Sequence, residues 1–212
     1  QQVRVPETPM HLDALLADEP LCGGLEPRLG AAHLRTLTVV GFPSATFPGL
    51  LDDLNAQGFA YRWSTRAIML DKSDANKLLG KISRQWFAKR KSVAAILKEV
   101  MTNEASVLVD NDAANKAEDA DAALQELGSD HVGLALVTAT VTVWDEDASL
   151  AAEKLRLAEK VIQGRDFTCV TEGMNAIEAW LGSLPGHVYA NVRQPPISTL
   201  NLAHMLPLSA VW

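Results

Sequence analysis

The segment Ala75-Asn76-Lys77-Leu78-Leu79-Gly80-Lys81-Ile82 has the length and the Gly-Lys pair of a phosphate-binding loop. Such a loop needs glycine at its first position for a tight turn and Ser or Thr at its last to hold magnesium. Here those positions are Ala75 and Ile82. The surrounding pattern predicts helix interior, where each amide is already bonded to the carbonyl four residues back and cannot cradle phosphate. The histidines, His11, His33, His131, His187 and His204, stand without the i, i+4 spacing or the nearby cysteine that a metal site favours. They are assigned as hydrogen-bonded surface or core residues. Ser44, Ser64, Ser149 and Ser209 lack the G-x-S-x-G setting of a nucleophile elbow. The pairs Asp52-Asp53 and Asp110/Asp112 fit a helix surface and a cap better than acid-base work. Cys22 and Cys169 are far apart and outside any C-x-x-C pair, which speaks against structural zinc and a disulfide framework. No catalytic group, metal ligand set or cofactor cradle is expected in these residues.

Charge is the remaining chemical signal. From Asp71 to Lys98 eight cations face two anions, and from Asn103 to Asp130 eight anions face Lys116 alone. The stretch from Ser73 to Gly128 has no proline and no strand-like alternation, so it predicts a helical pair inserted between strands, with one basic and one acidic arm. Its arms either neutralise each other, each exposed pair contributing roughly 0 to 1 kcal/mol, or project from the body and dock a partner through charge. Lys81, Arg84, Trp86, Lys89, Arg90 and Lys91 are the candidate docking residues. The run Arg84-Gln85-Trp86-Phe87-Ala88-Lys89-Arg90-Lys91 also interleaves cations with aromatics, as a single-strand nucleic-acid surface does. Against that, Trp86, Val93 and Leu97 recur at helical spacing and form a packing face. The net charge of -7 further favours solubility over nucleic acid or anionic lipid.

These residues must be positioned by an ordered body, and 48% hydrophobic content over 212 residues is ample for one. No apolar run approaches the ~20 residues needed to span a bilayer. Residues 1-32, broken by Pro6, Pro9, Pro20, Pro27, Gly23, Gly24 and Gly30, predict an extended arm with one short helix at Met10 to Leu16. Leu34 to Val40 predicts a strand. Thr46 as N-cap, Pro48 in the first turn and Gly58 as stop predict an α-helix from Phe47 to Gln57 with Leu50, Leu51 and Leu54 inward. Phe59 to Leu70 predicts a strand with Phe59, Tyr61, Trp63 and Thr65 on one face and Arg62, Ser64 and Arg66 on the other.

A second strand-helix-strand unit follows: Val132 to Trp144, Ser149 to Gln163 ending at Gly164, and Phe167 to Thr171, then a short helix from Met174 to Leu181. Two such units in tandem predict an α+β fold, a ferredoxin-like split βαβ antiparallel sheet with an inserted helical hairpin at 73-128. Residues 1-184 form this single domain. Residues 185-212 carry Pro185, Pro195, Pro196 and Pro207 and predict an extended proline-rich connector that runs over the surface without joining the sheet. Its apolar ending, Ala210-Val211-Trp212, leads us to expect that the natural chain continues.

The order Phe42-Pro43-Ser44-Ala45-Thr46-Phe47-Pro48-Gly49, Tyr61-Arg62-Trp63-Ser64, Asn191-Val192-Arg193, Asn201-Leu202-Ala203 and Pro207-Leu208-Ser209-Ala210-Val211-Trp212 resembles the CagE/TrbE/VirB family, the large ATPases of type IV secretion and conjugal transfer. The motif residues are Asn191, Arg193, Asn201, Leu202, Pro207, Leu208, Ser209 and Trp212. The resemblance implies a non-catalytic bacterial domain preceding a RecA-like ATPase domain, with ATP and magnesium confined to that absent domain. It also implies a position on the cytoplasmic face of the inner membrane, channel components there as partners, and self-association. The rival expectation is a module that engages single-stranded DNA for the transfer machinery.

Overall fold

The computed structural model describes residues 19-43, 46-89 and 132-206. In chain order its elements are β1 (Leu21–Cys22), β2 (Arg28–Leu29), β3 (Ala32–Gly41), a 3-10 helix (Asp52–Ala56), β4 (Tyr61–Leu70), α1 (Lys72–Lys89), β5 (Leu134–Asp145), α2 (Ala148–Gln163), β6 (Thr168–Thr171), α3 (Ala176–Gly182), β7 (Pro196–Ser198) and α4 (Thr199–His204). The fold is α+β, and the seven strands form one antiparallel sheet.

The sheet is organised around β5. On one side β4 pairs with it along ten residues, from Tyr61↔Val143 to Leu70↔Leu134. On the other side β3 pairs from His33↔Asp145 to Val39↔Ala139, and β7 continues that side through Leu134↔Ser198 to Leu136↔Pro196. The far edge of β3 receives β2 at its start and β6 at its end. The principal strands therefore lie in the order β6-β3-β5-β4.

Side-chain alternation explains why this sheet has two different faces. Leu37, Val39, Ala139, Val141 and Val143 are fully buried on one face, where α2 lays Leu155, Ala158 and Ile162 against them. Each of the leucine, valine and isoleucine side chains among them contributes roughly 1.5 to 3 kcal/mol on burial. The alternate positions, Thr36, Thr38, Thr140 and Thr142, are also buried but face the other way, with Thr36 Oγ1 and Thr142 Oγ1 3.0 Å apart. On this threonine face α3 and its exit pack Trp180 and Leu184 on Leu34.

Helix α2 starts where the acidic run predicts. Asp147 Oδ1 accepts from the amides of Ser149 at 2.7 Å and Leu150 at 3.3 Å. The Ser149 hydroxyl and these amides hold the Asp147 carboxyl below its ordinary range. Ala151, Leu155, Ala158 and Ile162 form its buried stripe, and Gly164 caps its end.

Two expectations are corrected. The α-helix predicted from Phe47 to Gln57 is instead a series of turns and a 3-10 helix of five residues, bonded three residues apart at Leu50-Phe47, Asp52-Gly49, Leu54-Leu51 and Gln57-Leu54. Gly49 adopts φ 78, a left-handed conformation that interrupts any regular helix after Pro48. Leu50 and Leu54 still reach the core. The connector predicted to stay off the sheet joins it as β7, with the Val137 amide donating to Pro195 O at 3.0 Å. Pro196 is tolerated because it opens a short strand.

Helix α1 covers the first arm of the predicted helical pair as far as Lys89, and the rest of that arm lies outside the described residues. The second arm and the turn, within 90-131, lie outside the described residues, as do residues 1-18 with the helix expected at Met10 to Leu16. Within the predicted extended arm, β1 and β2 pair Leu21 with Leu29 and Cys22 with Arg28.

Candidate docking surface

Helix α1 is anchored near its N-terminus, where Ala75, Leu78 and Leu79 pack on Leu70 and Leu134. Asp71 Oδ1 accepts from the Asp74 amide at 2.8 Å, and Lys77 pairs with Asp74 at 3.0 Å on the exposed side. The segment with phosphate-loop spacing, residues 75-82, lies inside this helix, and the Ala75 amide donates to Asp71 O at 2.9 Å. Of the candidate docking residues, Lys81 is exposed. Arg84, Trp86 and Lys89 fall on the same helix, while Arg90 and Lys91 lie outside the described residues.

The described motif residues gather on the stretch from His187 to His204. This strap crosses the threonine face held by side chains of the sheet. Arg66 donates to Ala190 O at 2.7 Å and to His187 O, and Arg62 donates to Ser183 Oγ at 2.5 Å. Burial lowers the Arg62 pKa, though a guanidinium remains cationic at any ordinary pH. The Thr138 hydroxyl meets the Asn191 side-chain oxygen and Arg193 O, the latter at 2.6 Å. Arg193 clasps Glu172 with Nε at 2.7 Å and Nη2 at 3.1 Å. The Glu172 side chain is 1% exposed, so this two-pronged pair satisfies a carboxylate that water does not reach. The hydrogen bond to Glu172 raises the Arg193 pKa. Close approach of the strap depends on Gly182, since a Cβ there would stand 2.7 Å from Ala190 O.

The strap then rounds the sheet through β7 and enters α4. Ser198 Oγ caps this helix by accepting from the Asn201 amide at 3.2 Å. Leu202 and Met205 pack into the main core. Thr46 Oγ1 donates to Asn201 Oδ1 at 2.8 Å and lies 2.8 Å from His204 Nδ1. Its single proton serves Asn201, so His204 Nδ1 carries a hydrogen and donates. Two motif runs separated by more than 150 residues, one around Thr46 and one around Asn201, meet at this point. Pro207, Leu208, Ser209 and Trp212 lie outside the described residues.

Beside this junction a cavity of about 890 Å³ opens between the 3-10 helix, the start of β4 and the end of α4. Leu54 and Met205 are buried in its floor, and half-buried Phe59, Tyr61 and Trp63 stand along one side. Burial, with the Asp52 carboxylate second, pushes the Tyr61 phenol up; its hydroxyl donates to Asn55 Oδ1 at 2.8 Å.

The sequence marks Asn191, Arg193, Asn201 and Leu202 but not the partners they meet in the fold. In sequence Thr46 reads as a helix cap and His204 as an isolated histidine. The proximity of Thr46 and His204 to the motif runs was the available signal; nothing local marks Glu172. Among the described residues no group of three or more His, Cys, Asp or Glu could hold a metal ion, and no helix is long and apolar enough to cross a membrane. Cys22 is exposed and Cys169 half-buried, both as free thiols.

Residues 1-193 match the CagE, TrbE, VirB family, described as a component of the type IV transporter system. A probable conjugal transfer protein TrbE of Sinorhizobium fredii (strain NBRC 101917 / NGR234) is 33% identical over 210 residues, covering 99% of this chain and 31% of that protein. The conjugal transfer protein TrbE of Rhizobium radiobacter is 33% identical over 210 residues, covering 99% of this chain and 25% of that protein. The chain thus spans under a third of the length of each of these relatives.

Proposed function

Because the chain belongs to the CagE/TrbE/VirB family of type IV transporter components, we propose that it is a non-catalytic assembly and docking domain of a conjugal transfer ATPase. It contacts inner-membrane channel components and neighbouring copies of itself from the cytoplasmic face of the bacterial membrane. Residues 185-212 lead toward a RecA-like ATPase domain, which supplies the ATP and magnesium chemistry. The strand order β6-β3-β5-β4 supports a ferredoxin-like split βαβ reading of the sheet, with a 3-10 helix in place of the first crossover helix.

One observation carries this proposal: the described polar motif side chains, Asn191, Arg193 and Asn201, are engaged in holding the strap and α4 to the sheet. They do not converge on a space where a substrate could react. A strap held in this way suits a domain that positions something else, and the basic sequence of α1 suits docking through charge.

The test is binding of the purified chain to inner-membrane channel components, compared with a Lys89→Glu, Arg90→Glu, Lys91→Glu variant. Binding is expected to weaken in the variant, and unchanged binding removes the helix from the docking surface. Fluorescence anisotropy with single-stranded DNA at low ionic strength is expected to show no salt-sensitive association. Such association would favour the DNA-engaging alternative instead.

A further inference from the structure

Among the described residues, β4 forms an open edge of the sheet. It pairs with β5 through an unbroken ladder from Tyr61 to Leu70, and no second strand joins its other side. The far side of the sheet is protected by contrast. There β1 and β2 are two residues each, and β6 is four residues in a ladder that shifts register between Val39 and Gly41. Short or irregular strands discourage pairing with another chain, as do proline and outward cations at an edge. Strand β4 contains no proline or glycine. Its two cations are engaged elsewhere, Arg62 by Ser183 and Arg66 by the strap carbonyls of His187 and Ala190. Ile68 and Met69 near its end are 44% and 60% exposed.

The direction of the free backbone groups follows from β5. The Val137 amide donates to Pro195 O on the β7 side, so Val137 turns its polar groups away from its β4 partner, Ala67. Directly opposite residues of an antiparallel pair exchange both hydrogen bonds or neither. Ala67 therefore also turns its amide and carbonyl outward, and alternation along the strand gives the same direction to Tyr61, Trp63, Thr65 and Met69.

This row is complementary to itself. Two copies paired edge to edge about a two-fold axis keep residues of one face opposite each other. With the axis at Thr65, Tyr61 faces the partner's Met69, Trp63 faces the small Ala67, and Thr65 faces Thr65, so every outward group is matched. Arg62 then faces Ile68 and Arg66 faces Ser64. Moving the axis to Arg66 leaves Tyr61 unmatched and sets Arg66 against Arg66. Moving it to Ser64 leaves Met69 unmatched and sets Arg62 against Arg66. Like charges directly opposite are destabilising, whereas threonine pairs and an aromatic ring beside a thioether are favourable. Charge and hydrogen bonding select the same register.

We propose that β4 is a self-pairing edge, through which a second copy of this chain joins antiparallel along residues 61-69 about a two-fold axis at Thr65. The pairing makes one continuous sheet of two domains and covers Ile68 and Met69. It deepens the reading that this domain contacts neighbouring copies of itself, on which it rests, and is independent of α1.

Light scattering on the full 212-residue chain over a dilution series is expected to show a monomer-dimer equilibrium. Ala67→Pro removes an outward amide that the β5 ladder does not use, at an exposed edge position where proline is tolerated. It deletes one bond on each side of the axis and is expected to weaken the dimer at least about tenfold, with an unchanged circular dichroism spectrum. In a Cys22→Ser background, oxidation of Thr65→Cys is expected to cross-link two chains, because the paired Cα atoms lie about 5.5 Å apart. Met69→Cys is expected not to cross-link, since its two copies stand about 26 Å apart along the strands. A chain that stays monomeric at every concentration overturns the proposal together with self-contact through this domain, and leaves docking to channel components standing. A dimer that Ala67→Pro leaves intact, or that Met69→Cys cross-links in preference to Thr65→Cys, preserves self-contact and overturns the β4 edge.

Discussion

Breaking the Arg193-Glu172 clasp tests how the strap is held. The carboxylate is 1% exposed and meets two guanidinium nitrogens at 2.7 and 3.1 Å, whereas the Arg193 side chain is 34% exposed. Hydrogen bonds to charged groups contribute roughly 1.5 to 3 kcal/mol, and the partly wet guanidinium places this pair toward the lower end, about 2 kcal/mol of coupling. Arg193→Met alone leaves a buried carboxylate without its cation and is expected to cost about 3 kcal/mol. Glu172→Met alone frees a guanidinium that can turn to water and is expected to cost less. A double-mutant cycle by urea unfolding isolates the pair term. Hydrogen exchange of residues 187-193 should rise in both single variants. A coupling energy below about 0.5 kcal/mol, or an unchanged exchange rate across the strap, would refute the reasoning.

Gly182→Ala forces a Cβ to within 2.7 Å of Ala190 O, so the strap must move; urea unfolding should show a loss of about 1 to 3 kcal/mol. Thr46→Val removes the hydroxyl shared by Asn201 and His204; a loss of about 1 kcal/mol is expected because both partners are half-buried and reachable by water, with faster amide exchange confined to α4 and its neighbours. Burial pushes the Cys169 thiol up to about 12 from an ordinary 9.0. Iodoacetamide at neutral pH should therefore label exposed Cys22 well before Cys169, which becomes reactive only on unfolding. The folded state retains the Cys169 proton longer than the unfolded chain does, so this group's stabilising contribution is complete below about pH 9 and falls as pH rises from there toward 12. Thermal melts across that range, compared with Cys169→Ala, check the sign.

The long strands and α2 were legible because their periods are local. Threonine alternating with valine or alanine over 137-143 presents two different faces in a strand, and Asp147 and Gly164 bracket a stripe of period 3.6. The 3-10 helix was not legible because Pro48 and Thr46 carry ordinary helix-start signals. Gly49 in a left-handed conformation and the distant claim of Asn201 and His204 on the Thr46 hydroxyl outweigh them. The strap was hidden for a similar reason. Prolines suggested a chain lying free of the sheet, but one short edge ladder at Pro196–Ser198 needs few donors, and Arg66, Thr138 and Glu172 supply the rest from elements far away in sequence. The candidate site was visible as motif residues and invisible as a set of partners, since nothing local links residue 46 to 204 or 172 to 193.

The most direct measurement is sedimentation of the purified chain with inverted inner-membrane vesicles from bacteria that carry a conjugal transfer channel, and with vesicles from the same strain without it. The docking account predicts saturable binding to the first kind only, without ATP turnover by the chain itself. Equal binding to both kinds of vesicle, or none to either, would contradict it.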